Sequence, residues 1–411
     1  MNEQLMNDAM QMVSYAITQA LPDAAVQRAL QGADLGSGKL VLIAAGKAAW
    51  QMAAAACGVL GDRIHSGVVV TKYKHAQGEL PNLEIYEAGH PVPDENSFAA
   101  TRCAMQAVEG LTEKDCVLFL LSGGGSALFE SPLVSGAELA DITQQLLGCG
   151  ADIVEMNTIR KRISAVKGGR FAQLCAPAKV FSIVLSDILG DPLDMIASGP
   201  ACADSSTCEQ ALAVVEKYGL TFSEQTMELL KQETPKELTN VENHITGSVR
   251  QLCSAASDMA EQLGYMPLVL TSTLNCNAAD AGSFLAAIAR EYSGSGQKMA
   301  IFAGGETTVR LTGKGLGGRN QEIALSAARG ISGLEDVLIF SVGSDGTDGP
   351  TDAAGGWCNG QTAAKLWEQG YNIADVLAQN DAYHALEACD GLIMTGPTGT
   401  NVNDLSAVLI G

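Results

Sequence analysis

Glycine, lysine and serine residues follow short apolar segments at two points of the chain, a setting that suits anion binding. Lys47 comes after the apolar run 39–45 and Gly46, and it opens an alanine-rich segment typical of a helix. The second point follows the apolar run 117–121 and comprises Ser122, Gly123, Gly124, Gly125 and Ser126. Glycines let backbone N–H groups approach an anion, and a helix N-terminus adds partial positive charge. We expect both points to bind phosphate, although a tight turn alone would also explain the glycine run, which matches no common nucleotide-binding motif.

Basic residues are concentrated in the segment NTIRKRISAVKGGR (157–170). Five of the 25 lysines and arginines lie there, in a chain with a net charge of −21: Arg160, Lys161, Arg162, Lys167 and Arg170. Helical spacing does not separate these charges from apolar positions, so the segment is not a clean amphipathic helix. A solvated charged face is the alternative. We favour an anion pocket and predict that Arg160, Lys161 and Lys167 bind substrate.

Two groups of three aspartates follow apolar, strand-like runs. They are Asp187, Asp191 and Asp194 in the first half, and Asp345, Asp348 and Asp352 in the second. Mg²⁺ prefers one or two carboxylates together with phosphate oxygens and water, so one aspartate per site is sufficient. Helix caps and turns must account for some of the six. We predict Asp187, Asp191 and Asp345 as metal ligands.

Another glycine loop, GKGLGGRNQE (313–322), places Arg319 at the start of a predicted helix. An arginine in that position can stabilise negative charge on a phosphoryl group during its transfer. Glu306, in AGGET (303–307), is a candidate for orienting substrate or metal. Pairing of Glu306 with a neighbouring cation for structural reasons is equally compatible with the sequence.

The elements that must position these residues alternate between strand-like and helix-like segments, which predicts an α/β fold. The 411 residues exceed one ordinary core, and the polar segment 233–247 suggests a linker. We therefore predict domains at residues 1–235 and 245–411. VLFLLSGGGSAL (117–128) also resembles AIFAGGETTVRL (300–311). This echo indicates either two related domains facing a cleft or the usual residues at strand ends.

The composition excludes several classes of protein. A charge of −21 argues against nucleic acid and anionic membranes as partners. No apolar run approaches the roughly 20 residues that cross a bilayer, and no signal peptide pattern is visible. The eleven cysteines include no C-x-x-C pair, which fits free thiols in a reducing compartment. We predict a cytoplasmic protein, while homo-oligomerisation is left open by the sequence.

Nine motifs in order resemble the class II glycerate kinases, a glycerate 2-kinase family with a C-terminal MOFRL domain; some members are named hydroxypyruvate reductase. The motifs are AAGKAA (44–49), EAGHPVPDENS (87–97), LLSGGGSAL (120–128), NTIRKRISAVKGGR (157–170), VLSDILGDPLDMIASGP (184–200), AGGETTV (303–309), GGRNQE (317–322), SDGTDGPTDAAG (344–355) and GPTGTNVND (396–404). Together they span essentially the whole chain. One departure is Arg162, where the family often has histidine.

The resemblance implies ATP- and Mg²⁺-dependent phosphorylation of D-glycerate at the 2-hydroxyl. It also implies a larger Rossmann-like N-terminal domain and a smaller C-terminal α/β domain, with the active site in the cleft between them. The family's catalytic lysine and arginine fall on Lys47 and Arg319. Asp187 is our candidate for accepting the proton of the hydroxyl. The alternatives are an NAD(P)H-dependent hydroxypyruvate reductase, although no strand runs into G-x-G-x-x-G, and a non-catalytic ligand-binding protein.

Overall fold

The computed structural model describes residues 2–186, 188, 190 and 192–411. The chain divides into two compact units. The parallel-sheet unit comprises Pro22–Thr246, and the mixed-sheet unit comprises Gly247–Gly411 together with residues 2–21. Each unit contains a six-stranded sheet and helices, so the predicted α/β fold class is confirmed.

The described residues form the following elements. The strands are β1 (Leu40–Ala45), β2 (Ile64–Lys72), β3 (Leu83–Ala88), β4 (Cys116–Leu121), β5 (Lys179–Leu185), β6 (Val241–Gly247), β7 (Met266–Leu274), β8 (Met299–Gly305), β9 (Val337–Gly343), β10 (Gly355–Asn359), β11 (Leu392–Ile393) and β12 (Asp404–Ile410). The helices are α1 (Asn2–Gln19), α2 (Pro22–Leu30), α3 (Ala49–Leu60), α4 (Glu95–Ala107), α5 (Gly125–Leu128), α6 (Gly136–Gly148), α7 (Ile153–Arg160), α8 (Arg170–Cys175), α9 (Cys208–Tyr218), α10 (Glu224–Leu230), α11 (Val249–Gln262), α12 (Ala278–Tyr292), α13 (Arg319–Gly330), α14 (Thr362–Glu368), α15 (Ile373–Ala378) and α16 (Ala382–Ala388).

The sheet of the parallel-sheet unit has the strand order β3-β2-β1-β4-β5-β6. The pairs β2–β3, β1–β2, β1–β4 and β4–β5 are all parallel. Strands β1 and β4 are buried along their whole length, because helices cover both faces of the sheet. That burial explains their continuous apolar sequences, LVLIAA and CVLFLL. The strand order is that of a doubly wound nucleotide-binding sheet, in which the order reverses between β1 and β4.

The sheet of the mixed-sheet unit has the order β11-β10-β9-β12-β8-β7. Only the pair β7–β8 is parallel among its described pairings, and the other four pairs are antiparallel. The last strand of the chain, β12, lies between β8 and β9 and is fully buried. Since β12 runs opposite to both neighbours, its first residue lies beside their last residues.

Two features differ from the sequence-based expectation. The polar segment 233–247 is not a linker throughout, because its last seven residues form β6 at the edge of the parallel sheet. An edge strand is half solvated and needs no continuous apolar run, so the polar sequence of β6 resembles that of a linker. Helix α1 belongs to the mixed-sheet unit, where it packs on α11, although the sequence placed it with the first domain. No helix in the described part of the chain is long and apolar enough to span a bilayer.

Candidate active site

Lys47 lies at the carboxyl end of β1, next to the loop that follows β4. The backbone N–H of Lys47 donates to the carbonyl oxygen of Gly123 at 2.9 Å, and the N–H of Ala48 donates to Ser122 Oγ at 3.1 Å. Gly46 has no room for a Cβ, which would lie 2.2 Å from the same hydroxyl oxygen. The two loops are therefore locked together at the point where the strand order reverses. Ligands of open α/β sheets bind at such a point, outside the carboxyl ends of the strands.

The glycine loop after β4 is shaped by close approaches to its neighbours. A Cβ on Gly124, whose φ is +85°, would lie 2.9 Å from the ring of His90 and 3.2 Å from Lys47 Cγ. A Cβ on Gly125 would lie 2.7 Å from the Cβ of Ala197. These glycines are required because only a bare backbone lets Lys47, His90 and the 196–198 turn meet at one place.

The basic segment 160–170 does not present all its charges to one pocket. Lys161 is fully buried, and its Nζ lies 2.9 Å from Asp204 and 3.3 Å from Asp194. Lys167 is also fully buried; its Nζ lies 3.3 Å from Glu130 and donates to the carbonyl oxygens of Ser126 and Phe129. The substrate-binding role predicted for Lys161 and Lys167 is therefore corrected to a structural one.

Two of the three arginines of this segment are likewise engaged within the unit. Arg162 is fully buried, pairs with Glu233 at 3.2 Å and donates to Ser206. Arg170 donates through Nη1 to the carbonyl oxygens of Lys161, Arg162 and Ser164. These contacts close the turn between α7 and α8 from the inside.

Arg160 is different from its neighbours. Its Nη2 donates to the carbonyl oxygen of Ser126 at 3.0 Å, at the end of the glycine loop. Its Nε is buried and has no hydrogen-bond partner among the residues that the structure describes. No ion pair of Arg160 occurs in the described part of the chain. Arg160 thus contacts the glycine loop and has no carboxylate partner among the described residues, and its role in anion binding stays a prediction.

In the mixed-sheet unit, Arg319 is the first residue of α13. Its Nε and Nη2 donate to the two carboxylate oxygens of Asp404 at 2.6 and 3.0 Å, and its Nη1 donates to Glu306 at 3.3 Å. Asp348 caps the same helix, because its carboxylate accepts the N–H groups of Asn320 and Gln321. Arg319, which is proposed for catalysis, is therefore held by two carboxylates of its own sheet. Glu306 directly follows β8, and Asp404 is the first residue of β12.

Comparisons with known proteins fit this architecture. Residues 8–231 match the model of a domain of unknown function, DUF4147, and residues 299–404 match the MOFRL family. A D-glycerate 2-kinase of Thermotoga maritima is 51% identical over 414 residues, which cover 99% of each chain. A glycerate 2-kinase of Pyrococcus horikoshii is 43% identical and covers 91% of this chain and 88% of its own. The crystal structure of the Thermotoga maritima glycerate kinase superimposes with a TM-score of 0.94, at 51% identity and with complete coverage of both chains.

The chain belongs to the class II glycerate kinase family. The resemblance inferred from the ordered motifs is confirmed. A further relative, from Agrobacterium vitis, is provisionally named a hydroxypyruvate reductase and is 40% identical over 91% of this chain and 100% of its own.

In this glycerate kinase family member, sequence reasoning missed a group of polar residues beside the glycine loop. Ser126 Oγ lies 3.3 Å from Ser198 Oγ, and the Ser198 hydroxyl donates to Asn157 Oδ1 at 2.8 Å. Ala197 and Ser198 are buried and have positive φ angles of 51° and 61°. Strained backbone of this kind is typical of functional sites. Asn157 and Ser198 lie within quoted family motifs, but nothing in their spacing revealed that they meet.

His90, which lies within the motif EAGHPVPDENS (87–97), is another residue that sequence reasoning missed. Burial lowers the pKa of His90, and the charges of Lys47, Lys72 and His75 lower it further. Its imidazole is therefore neutral at pH 7. The Nδ1 atom of His75 hydrogen-bonds to the carbonyl oxygen of Lys47 at 3.1 Å. Lys47 is exposed, and none of the described carboxylates forms an ion pair with it. The carboxyl end of this sheet is thus locally positive in an acidic protein.

The structure describes one of the three predicted metal ligands. Asp187 and Asp191 lie outside the described residues. Asp345 is half-buried, and its carboxylate accepts the N–H and the hydroxyl of Thr347 at 2.9 and 3.1 Å. No described cation pairs with Asp345, so its remaining oxygen lone pairs suit a hard metal ion. Glu306 pairs with Arg319 and accepts from Asn403 at 3.0 Å, which matches the structural alternative considered for it.

Proposed function

We propose that this protein transfers the terminal phosphoryl group of ATP to the 2-hydroxyl of D-glycerate, giving 2-phospho-D-glycerate and ADP. The observation that carries the proposal is the 51% identity, over 99% of both chains, to a protein named D-glycerate 2-kinase. The geometry is consistent with phosphate chemistry, because a glycine loop and a lysine that pairs with none of the described carboxylates lie at the switch point of a doubly wound sheet.

In this proposal the glycine loop 122–126 and Lys47 hold phosphate. The loop brings bare backbone next to the lysine, and the ring of His90 lies against Gly124 at the same place. A positive group without a fixed partner binds phosphate more strongly than one already neutralised by a carboxylate. That difference supports Lys47 over the buried lysines at 161 and 167.

The hydroxy acid is assigned to Arg160 and the hydroxyl groups beside it. Arg160 donates to the glycine loop through Nη2, its Nε has no partner among the described residues, and Ser126 and Ser198 supply polar groups at the same loop. An arginine binds a carboxylate through two parallel hydrogen bonds, which fixes orientation as well as position. Orientation matters here because the 2-hydroxyl and the 3-hydroxyl of glycerate differ mainly in their distance from the carboxylate.

Arg319 is assigned to the charge that develops on the phosphoryl group in transit, as the family resemblance implies. Mg²⁺, when bound, would neutralise phosphate oxygens, and Asp345 is the described residue whose oxygen donors fit it. Ligation by Asp187 and Asp191 and proton acceptance by Asp187 stay predictions from the sequence, as does the location of the site in a cleft. Positioning and electrostatic stabilisation supply most of the rate in phosphoryl transfer.

A product assay tests the proposal. The protein is incubated with ATP, Mg²⁺ and D-glycerate, and product is followed through enolase, which uses 2-phosphoglycerate directly. We expect phosphoenolpyruvate to form only when both substrates are present. Product that feeds enolase only after a mutase is added would move the transfer to the 3-hydroxyl.

The alternatives have distinct outcomes in the same experiment. Oxidation of NADH by hydroxypyruvate without ATP would support the reductase suggested by the name of the Agrobacterium vitis relative. Binding of glycerate or ATP without any turnover would support a non-catalytic protein on the same scaffold. Small molecules are the partners in each case, and the absence of a nucleic acid partner stays a prediction from the charge.

A further inference from the structure

We propose that Asp404 is the positioning residue of Arg319, and that it fixes the guanidinium plane for phosphoryl transfer while Glu306 is an exchangeable partner. This inference rests on the proposed function, because it assigns a task to the arginine of that reaction. It concerns the GPTGTNVND motif (396–404), for which the sequence suggested no role.

The contact between Asp404 and Arg319 has the geometry of a fixed pair. The two oxygens of Asp404 accept from Nε and Nη2, at 2.6 and 3.0 Å, so one whole edge of the guanidinium is held. The Asp404 side chain is 5% exposed and that of Arg319 is 35% exposed. Bidentate pairs of this kind are stronger and more specific in geometry than single contacts. Rotation of the guanidinium would break both hydrogen bonds and leave the buried carboxylate of Asp404 without this partner.

The topology explains why Asp404 is rigid. It is the first residue of β12, where it pairs with Gly305 at the end of β8 and with Gly343 at the end of β9. The strand is therefore held on both sides at the residue that carries the carboxylate. Because β12 is inserted antiparallel between β8 and β9, the carboxylate of Asp404 lies beside the last residues of both strands.

Glu306 has a weaker hold on the same guanidinium. It follows β8, its side chain is 47% exposed, and it makes a single 3.3 Å contact with Nη1. Exposed pairs contribute little free energy, so a phosphoryl group can replace Glu306 at modest cost. Of the five N–H groups of an arginine, Asp404 and Glu306 engage three. One further N–H on Nη1 and one on Nη2 are therefore not used by these two carboxylates and can donate to a phosphoryl group.

Kinetics of single and double variants test the proposal. In Asp404→Asn we expect kcat to fall about 100-fold, with KM for both substrates changing much less, because a misplaced group loses transition-state contacts. In an Arg319→Ala background the same Asp404→Asn change should leave kcat unaltered, because Asp404 acts through the arginine. Additive losses in the double variant, or wild-type kcat in Asp404→Asn, would overturn the proposal. If Asp404→Asn does not fold, Asp404→Glu keeps the charge and is expected to lose kcat as well.

Asp8→Asn is the matched control. Asp8 is a buried carboxylate of the same unit, and it accepts hydrogen bonds from Tyr265 and Gln4 at 2.7 Å. Its replacement should lower stability without changing kcat of the folded enzyme. An equal loss of kcat in Asp8→Asn would mean that any weakened buried carboxylate has this effect, and the specific role of Asp404 would be lost.

A spectroscopic measurement separates this proposal from the proposed function. The Nε–H resonance of Arg319 is identified as the one lost in Arg319→Lys, and its exchange with water is measured. We expect slow exchange in the wild type and at least about 10-fold faster exchange in Asp404→Asn, because the hydrogen bond protects the proton. If the wild type makes no 2-phosphoglycerate, the proposed function fails while slow exchange still supports positioning. Fast exchange in an active wild type would overturn positioning alone.

Discussion

The strand ends of the two units differ in how their described charges are partnered. At the carboxyl end of the parallel sheet the described basic groups near the glycine loop are Lys47, Lys72, His75, His90 and Arg160. At the ends of β8 and β9 three described carboxylates surround Arg319, namely Glu306, Asp348 and Asp404. The first region has cations without fixed partners and suits an incoming anion. The second has one cation held by acids and suits exact placement of a single charge.

The same contrast occurs between adjacent residues. Arg160 keeps open donors beside the glycine loop, whereas Lys161 is buried between two aspartates. The net charge of −21 predicts neither arrangement. The role of a charged residue depends on whether a neighbour of opposite charge already neutralises it. Each of the following experiments changes a residue of one of these two kinds.

The largest effect is expected for Lys47→Ala. Removing the unpaired ammonium at the switch point should lower kcat about 1000-fold, because preorganised charge at a transferring group supplies roughly 4 kcal/mol of barrier reduction. Stability should change little, since the side chain is exposed. Lys231→Ala removes an exposed lysine paired only with Glu228 and serves as the control. Wild-type turnover in Lys47→Ala would remove the lysine from the mechanism.

Lys161→Met should act on stability instead of turnover. It removes the ammonium that pairs with Asp204 and Asp194 and leaves Arg162, at 3.8 Å, as the described cation beside the buried Asp204. Breaking a buried ion pair costs about 3 kcal/mol or more. Urea unfolding measures the loss, and Asp204→Asn in the same chain should restore part of it. A stable Lys161→Met variant with a raised KM for glycerate would return this residue to the binding role predicted from sequence.

Asp348→Asn should change the pH dependence of stability. Burial raises the pKa of Asp348 from 3.8 to about 6, with smaller opposing effects from the Gln321 and Asn320 N–H groups. The folded state then binds more protons than the unfolded state between these two values, so this group's stabilisation is complete below about pH 4 and is lost as pH rises through 6. Between pH 4 and 7 the free energy of unfolding of the wild type should therefore fall by about 2 kcal/mol relative to that of Asp348→Asn. Parallel stability curves for the two proteins would contradict this expectation.

The smallest effect is expected for Arg160→Ala, measured as KM for D-glycerate. Loss of a charge-assisted hydrogen bond to the carboxylate should raise KM about 10-fold, with less change in KM for ATP. Arg160→Lys keeps the charge but not the two parallel donors, so it should recover only part of the affinity. An unchanged KM for glycerate in Arg160→Ala would place the carboxylate elsewhere.

The sequence was most informative where function depends on a local pattern. Apolar runs followed by glycine and lysine located β1, β4 and the loops that follow them, and they identified Lys47 and the glycine loop as neighbours of strand ends. It was less informative for β6, whose edge position needs no apolar run. His90, Asn157 and Ser198 escaped notice because each is an ordinary residue until it is placed beside the loop.

By itself, the sequence determined the family, the α/β class and the residue types available for phosphate chemistry, because these follow from motifs and from periodicity along the chain. Only the tertiary structure decided which charges are open and which are neutralised. Lys161 meets Asp204 across 43 positions, and Arg319 meets Asp404 across 85. Partners so far apart leave no trace in local spacing. Lys161 meets Asp204 only because the end of α7 packs on the loop before α9, and Arg319 meets Asp404 only because β12 is inserted between β8 and β9.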